Sequence, residues 1–411
     1  MPVPAAQPGF ESSVPASPSV ARSRGYSLLF TAFEPSGDDH ASAVIAELKR
    51  RHPDLTIFAW GGPKMARAGA TIIERTGDDA VMGLPGAAKI IEHLRINRRI
   101  DKWIEENLKG DTPIRLHVPV DSPAANGPIC KIAKKRGVKV VHLVAPQVWA
   151  WGKWRINKLR KITDLLLCML PFEPEYFKSR NVPAKFIGHF LFDKDLKTSE
   201  LDLRAATFGD GSPRIAMMPG SRPHELQLHF PILLDTFHAL LAQFPTAYGV
   251  VAATSDKVSD QLRKIGDAHP KGWPENVRVV VQDTDAVVRW CDIALVKSGT
   301  VTLQVAKQLK PMVIFYKRSN PLSFLIFTTF LSTSQHFALP NLIANRRVIP
   351  ELVPHFGGAE PIVTLAERLI RDPAEAEQQR DEMREIAKKY EGMNAAKNAA
   401  DEIEKVAGIV A

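Results

Sequence analysis

Cysteine is scarce in this 411-residue chain: there are three, Cys130, Cys168 and Cys291, odd in number and far apart. They offer neither a disulfide framework nor a C-x-x-C metal knuckle, so a reducing compartment is expected. Long apolar runs are missing as well. The most apolar, Pro321 to Leu331 ("PLSFLIFTTFL"), is about half of the roughly 20 residues that a spanning helix needs, so no bilayer crossing is expected. Residues 1 to 25 hold five prolines among Ala and Ser and no uninterrupted apolar stretch, which gives a disordered leader and not a signal peptide. The histidines, His40 and His224 among them, show no metal-ligand spacing, and no Asp-x-Asp pair is taken as a metal site. No cofactor is expected.

What is present begins with charge. Basic residues number 54 and acidic residues 45, a balance of +9, which suits a partner carrying phosphates: a nucleic acid, an anionic membrane surface or a phosphorylated substrate. From Tyr26 onward, short apolar or β-branched runs alternate with longer helical stretches. "YSLLFTAF", "LTIFAWGG", "IRLHVPVD", "VKVVHLVAP" and "LLLCMLP" have the pattern of buried strands, and segments such as "ASAVIAELKRRH" that of helices between them. After a polar patch near 193 to 212 the alternation restarts with "RIAMMPGSR", "AYGVVAAT", "VRVVVQD", "IALVKSGT" and "PMVIFYK". The pattern predicts an α/β protein of two tandem Rossmann-like domains with the active site in the cleft between them. Expected boundaries are 26–192 and 212–365, followed by helices over 366–411 that pack back on the first domain.

Chemistry is expected where strands end and helices begin, because free backbone N–H groups and the helix dipole attract anions there. In "MMPGSRPHE", Gly220 allows close backbone approach, Ser221 adds a hydroxyl and Arg222 can grip two oxygens at once. In "LVKSGTVTLQVA", Ser298, Gly299 and Thr300 open a helix directly after a buried strand. One such turn is as often a plain helix cap; two in one domain suggest a diphosphate. In the first half, Asp121 ends "RLHVPVD", a suitable place for a general base.

"FEPSGD", "GGPKMARAGA", "VMGL", "APQVWAW", "TDLLLCMLPFEPEYF", "FIGHFLFD", "MPGSRPHEL", "SGTVTLQ" and "LPNLIANRRVIPEL" occur in the order and approximate spacing of lipid-A-disaccharide synthases, and the chain resembles that family from Tyr26 to about Pro354. The resemblance implies a GT-B type glycosyltransferase that needs no metal. It would join UDP-2,3-diacylglucosamine to 2,3-diacylglucosamine 1-phosphate in a β(1→6) linkage, releasing UDP at the cytoplasmic surface of the inner membrane. It also implies site residues: Asp121 and Glu34 as catalytic carboxylates, Ser36, Gly37, Asn126, His189 and Asn341 as substrate contacts. Gly220, Ser221, Arg222, Glu225, Ser298, Gly299, Thr300 and Gln304 would hold the nucleotide. Asp38 is expected to cap its helix. Three departures accompany the match: Phe33 stands where the first turn usually has Gly, "SPAANGP" lacks the usual Asp-Phe pair at Ala124 and Ala125, and Gln304 replaces a Glu.

Other readings of the same residues set limits. The tryptophans and cations of "APQVWAWGKWRINKLRK" also suit a nucleic-acid protein, but they follow a buried strand and match a family motif, so no nucleic acid is expected. The segment "AAKIIEHLRINRRIDKWIEE" forms an amphipathic helix with a basic face, suited either to the core or to an anionic lipid surface. A UDP-N-acetylglucosamine 2-epimerase-like isomerase would share the architecture, and so would a non-catalytic membrane-surface homologue. The reading allows a homodimer.

Overall fold

The computed structural model describes residues 25–76, 86–150, 152, 154–318 and 336–409, with no side chains described over 86–90. The leader to residue 24, "VMGL", Trp151 and the apolar run 321–331 lie outside the described residues.

The apolar runs form strands because a parallel strand in a doubly wound domain is covered on both faces. In the first sheet these are β1 (Ser27–Ala32), β2 (Thr56–Gly61), β3 (Thr71–Arg75), β4 (Ile114–Val120), β5 (Lys139–Leu143), β6 (Leu165–Cys168) and β7 (Ala184–Phe186). Every residue of β1 is buried. Successive side chains serve opposite layers: Leu28, Phe30 and Ala32 pack on Val44, Ile45 and Leu48 of the helix Pro35–Arg51. Leu29 packs with Ile96, Ile100 and Ile104 of the helix Gly86–Glu106 and with Ile129 of the helix Pro123–Lys135. The second sheet holds β8 (Arg214–Met218), β9 (Tyr248–Ala253), β10 (Val277–Val281), β11 (Ile293–Lys297), β12 (Met312–Lys317) and β13 (Glu351–His355). Ile215 and Met217 meet Phe230, Leu233 and Phe237 of the helix Pro223–Gln243 on one face, while Ala216 and Met218 meet Val287, Val305 and Ala306 on the other.

All pairings are parallel, in the orders β3-β2-β1-β4-β5-β6-β7 and β10-β9-β8-β11-β12-β13. The order reverses once in each sheet, between β1 and β4 and between β8 and β11. Crevices at the carboxyl ends of such strand pairs are where doubly wound sheets bind ligands.

The chain returns to the first domain at its end. Ala395, Ala399, Ala400 and Ile403 of the helix Ala395–Ala407 enter the core beside β1, and Arg51 grips Asp401 and Glu404 at 2.6 and 3.0 Å. A further cluster joins Trp149, Leu166 and Phe177 to Leu303, Ile343, Ile386 and Tyr390, from both halves of the chain. The two sheets are therefore connected by packed side chains as well as by the chain itself.

Candidate active site

Each reversal point releases two turns, and three of the four enter their helices through proline: Pro35 after β1, Pro123 after β4 and Pro223 after β8. Proline is suited to the first helical turn, where its missing N–H would have no partner. The polar residues just before these prolines are left at the strand ends.

In the first domain the turns are joined by a hydrogen bond: Ser122 Oγ donates to Glu34 Oε1 at 2.9 Å. Asp121 and Ser122 both lie in the left-handed region, at φ 47° and 42°, which non-glycine residues adopt only when their surroundings enforce it. Burial raises the Asp121 carboxyl above its ordinary range; the Ser122 N–H and the Arg222 charge lower it and the Glu34 charge raises it. A carboxylate with raised basicity at the end of a central strand can accept a proton from a bound hydroxyl.

Arg222, from the second domain, comes within 4.0 Å of Glu34. It begins the 21-residue helix Pro223–Gln243, whose N-terminal dipole favours an anion. Gly220 precedes it at φ 108°, and a Cβ there would stand 2.6 Å from Glu225 Oε2, so the turn requires glycine. Glu225 is buried and meets Lys297 Nζ at 2.8 Å. Burial pushes its carboxyl up, but Lys297 and Arg222 outweigh that and hold it below the usual range. Glu225 also accepts from Ser221 N at 3.4 Å, so it shapes the turn from beneath. Ser298, Gly299 and Thr300 follow Lys297 at the end of β11 and lead into the helix Val301–Lys307. Gln304 lies on that helix and donates to Asp285 Oδ1 at 2.7 Å.

The structure thus brings Glu34, Asp121 and Arg222 together across the cleft, with Gly220, Ser221 and Glu225 adjoining Arg222. Ser36 is exposed on the first turn of its helix, and Gly37 is buried, its Cα side 3.2 Å from Ala32 Cβ when a Cβ is built. Three expected substrate contacts are placed differently. Asn126 is fully buried and donates from Nδ2 to the carbonyls of Val120 and Asp121 at 3.0 and 2.8 Å. Asn341, also fully buried, donates to Ile349 O and accepts from the N–H groups of Val348 and Ile349, each at 2.9 Å. His189 caps the helix Phe190–Asp193 by accepting from Leu191 N at 3.1 Å, and burial holds its pKa down at about 3. All three spend polar atoms on the protein itself.

Asp38 is a cap, but of the neighbouring helix: its oxygens accept from Lys64 N and Met65 N at 3.0 Å each. A Cβ at Gly62 would stand 2.4 Å from Asp38 Oδ2, which accounts for the glycine in "GGPKM". Phe33 uses the ring that replaces glycine to pack edge-on against His93, 5.9 Å between centroids. Two Asp-x-Asp pairs do occur, but Asp193 accepts from Ala395 and Ala396 N, Asp283 pairs with Arg204 and Asp285 receives Gln304. No group of three or more metal-ligating side chains is present among the described residues. Sequence reading missed Lys297; a lone cation closing the buried strand "IALVK" was the available signal.

Two parallel doubly wound domains with facing turns have the GT-B type fold, which glycosyltransferases share with sugar-nucleotide epimerases. Solved structures of this architecture include the glycotransferase of kitacinnamycin, at TM-score 0.60 and 16% identity over 93% of this chain and 99% of that one. The UDP-GlcNAc 2-epimerase from Neisseria meningitidis, solved with UDP-GlcNAc, aligns at TM-score 0.60 and 12% identity over 92% of this chain and 100% of its own. Identity this low shows the fold alone. The chain belongs to the lipid-A-disaccharide synthetase family, whose model matches residues 28–405. Relatives bearing the name lipid-A-disaccharide synthase include those of Anaeromyxobacter dehalogenans, 34% identical over 92% of this chain and 96% of the relative, and Geobacter sulfurreducens, 30% identical over 93% and 96%. It is a glycosyltransferase of lipid A biosynthesis. No described helix is long and apolar enough to cross a membrane.

Proposed function

We propose that the protein transfers 2,3-diacylglucosamine from its UDP derivative to the 6-hydroxyl of 2,3-diacylglucosamine 1-phosphate, with inversion, forming the β(1→6) disaccharide and UDP. The observation that carries this reading is the opposition across the cleft, with Glu34 and Asp121 on one side and Arg222 on the other. Asp121 takes the proton from the acceptor hydroxyl as its oxygen bonds to the anomeric carbon, while the bond from that carbon to the diphosphate breaks. Arg222, the N–H groups of the Gly220–Ser221 turn and the Ser298–Thr300 turn meet the charge that grows on the leaving diphosphate. Glu34 hydrogen-bonds an acceptor hydroxyl and is held in place by Ser122. Asn126 supports the Asp121 turn from within, Asn341 and His189 hold the backbone at Val348–Ile349 and Leu191, and Gln304 offers an amide to the nucleotide ribose.

The acylated substrates call for a lipid surface. The helix Gly86–Glu106 presents Ile91 and Leu94 to solvent, each about half exposed, and Trp154, on the other basic segment, is exposed as well. Arg95 and Arg99 are paired with Glu92 and Glu74, so the unpaired basic charge is smaller than the sequence suggested, and apolar insertion carries more of the attachment. The reaction is tested by incubating the purified protein with both acylated glucosamines and following UDP. Release only when both are present supports transfer; epimerised UDP-sugar, or binding with no UDP released, contradicts it.

A further inference from the structure

Beneath the Asp121 turn lies a polar chain inside an otherwise apolar layer. Thr31 on β1, His117 on β4 and Asn126 on the helix Pro123–Lys135 are all fully buried, and they are hydrogen-bonded in series. Each hydrogen can be assigned from chemistry. Asn126 touches two carbonyls, Val120 O and Asp121 O, so that end of the amide must be its NH₂. Its Oδ1 therefore faces Thr31, whose hydroxyl donates to it at 2.7 Å. With that hydrogen used, the 2.8 Å contact between Thr31 Oγ1 and His117 Nε2 has only one donor left, the imidazole. His117 is thus the neutral tautomer protonated on Nε2, and its Nδ1, which has no partner among the described residues, carries a bare lone pair. Burial, followed by the charge of His142, lowers its pKa to about 3, which keeps it neutral.

We propose that Thr31, His117 and Asn126 form a positioning relay that holds the Asp121–Ser122 turn in its left-handed conformation and keeps the Asp121 carboxyl in the cleft. The proposal rests on the reading of Asp121 as the base. Buried polar groups normally cost stability unless they are fully satisfied. Here they sit under the one described place where two consecutive non-glycine residues take positive φ, and the chain ends on the Asp121 carbonyl itself. Asp121 N is fixed from the other side by Leu143 O at 3.0 Å. The residue is therefore clamped at both backbone polar atoms, and among the described residues Asn126 makes the second clamp.

Thr31→Val keeps the shape but removes the hydroxyl, which leaves Asn126 Oδ1 without its donor and His117 Nε2–H without its acceptor and so loosens the amide that holds the Asp121 carbonyl; Thr31→Ser restores it. Asn126→Ala removes the clamp outright. The groups that act on the Asp121 carboxyl are the charges of Glu34 and Arg222 and the Ser122 N–H, and none of these substitutions adds or removes a charge among them. In Thr31→Val, kcat should fall about 10-fold to 10²-fold, the usual cost of a small misplacement, with donor KM unchanged. The acid limb of the kcat profile should move to lower pH as the carboxyl becomes better solvated, and Thr31→Ser should recover both. In an Asp121→Asn background Thr31→Val should cost nothing further. A lower melting temperature with kcat and acid limb unchanged would make the chain purely structural and overturn the proposal. So would an equal loss of kcat in both backgrounds. Failure of the base assignment itself would be seen separately, as near-normal turnover by Asp121→Asn alone. Thr31→Val carries the test if Asn126→Ala does not fold.

Discussion

The two reversal points have the same topology and opposite chemistry. At the β1/β4 end the turns carry Glu34 and Asp121, with non-glycine residues at positive φ above a buried hydrogen-bonded chain. The β8/β11 end carries Arg222 and Lys297, and its positive φ falls on glycine. Strained non-glycine backbone fixes a side chain at a stated place, as a base requires, whereas glycine clears space so that backbone N–H groups can approach a ligand. On the proposed reading, one crevice aims a carboxylate and the other receives an anion.

Changes to the anion-receiving crevice should leave the carboxylates in place and so break one half alone. Lys297→Met would leave Glu225 buried without its close cation, and removing one partner of such a pair costs about 3 to 5 kcal/mol; chemical denaturation should read this. The loss should shrink as pH falls, because the depressed Glu225 carboxyl contributes stability above its unfolded pKa and loses it as the folded group protonates. Arg222→Ala should weaken UDP binding by about 1.5 to 3 kcal/mol, the range for a charged hydrogen bond, as measured by calorimetry. Gly220→Ala should weaken it by about 1 to 3 kcal/mol through strain at φ 108° and the contact with Glu225.

Glu173 supplies a buried carboxylate that is not among the candidate site residues. It accepts from Trp149 Nε1 and Leu170 N at 3.0 Å each, and burial pushes its pKa up to about 7. An acid with a raised folded pKa stabilises the protein below its unfolded value and loses that contribution as pH rises from about 4.5 to about 7. Glu173→Gln should flatten the stability profile across that window without altering donor KM. A shifted kcat profile would show that Glu173, and not only Asp121, sets the pH dependence.

The sequence displayed the central strands because residues such as Leu28 to Phe30 and Ile293 to Val296 are covered on both faces and form unbroken apolar runs. It hid β3, β7 and β13, which lie at sheet edges. β3 alternates exposed and half-buried residues, β7 spans three residues, and β13 contains a proline, none of which gives a buried-strand pattern. The turns of the candidate site were legible because strand ends can be located from strand runs. The destinations of Asn126, Asn341 and Asp38 were not, since motif spacing does not say whether an amide or carboxylate meets a ligand or a neighbouring backbone. Thr31 and His117 were hidden inside strand runs whose register decides which face they occupy.

The division of labour between the crevices is tested most directly by measuring transfer and UDP affinity together in Asp121→Asn, with Glu34→Gln beside it. The Asn side chain keeps size and hydrogen bonding but has no basicity, so transfer should fall about 10² to 10⁴-fold while UDP affinity stays at the wild-type value. Near-normal transfer by Asp121→Asn with an inactive Glu34→Gln would make Glu34 the base and contradict the account, and a parallel loss of UDP affinity would show that the two crevices do not act separately.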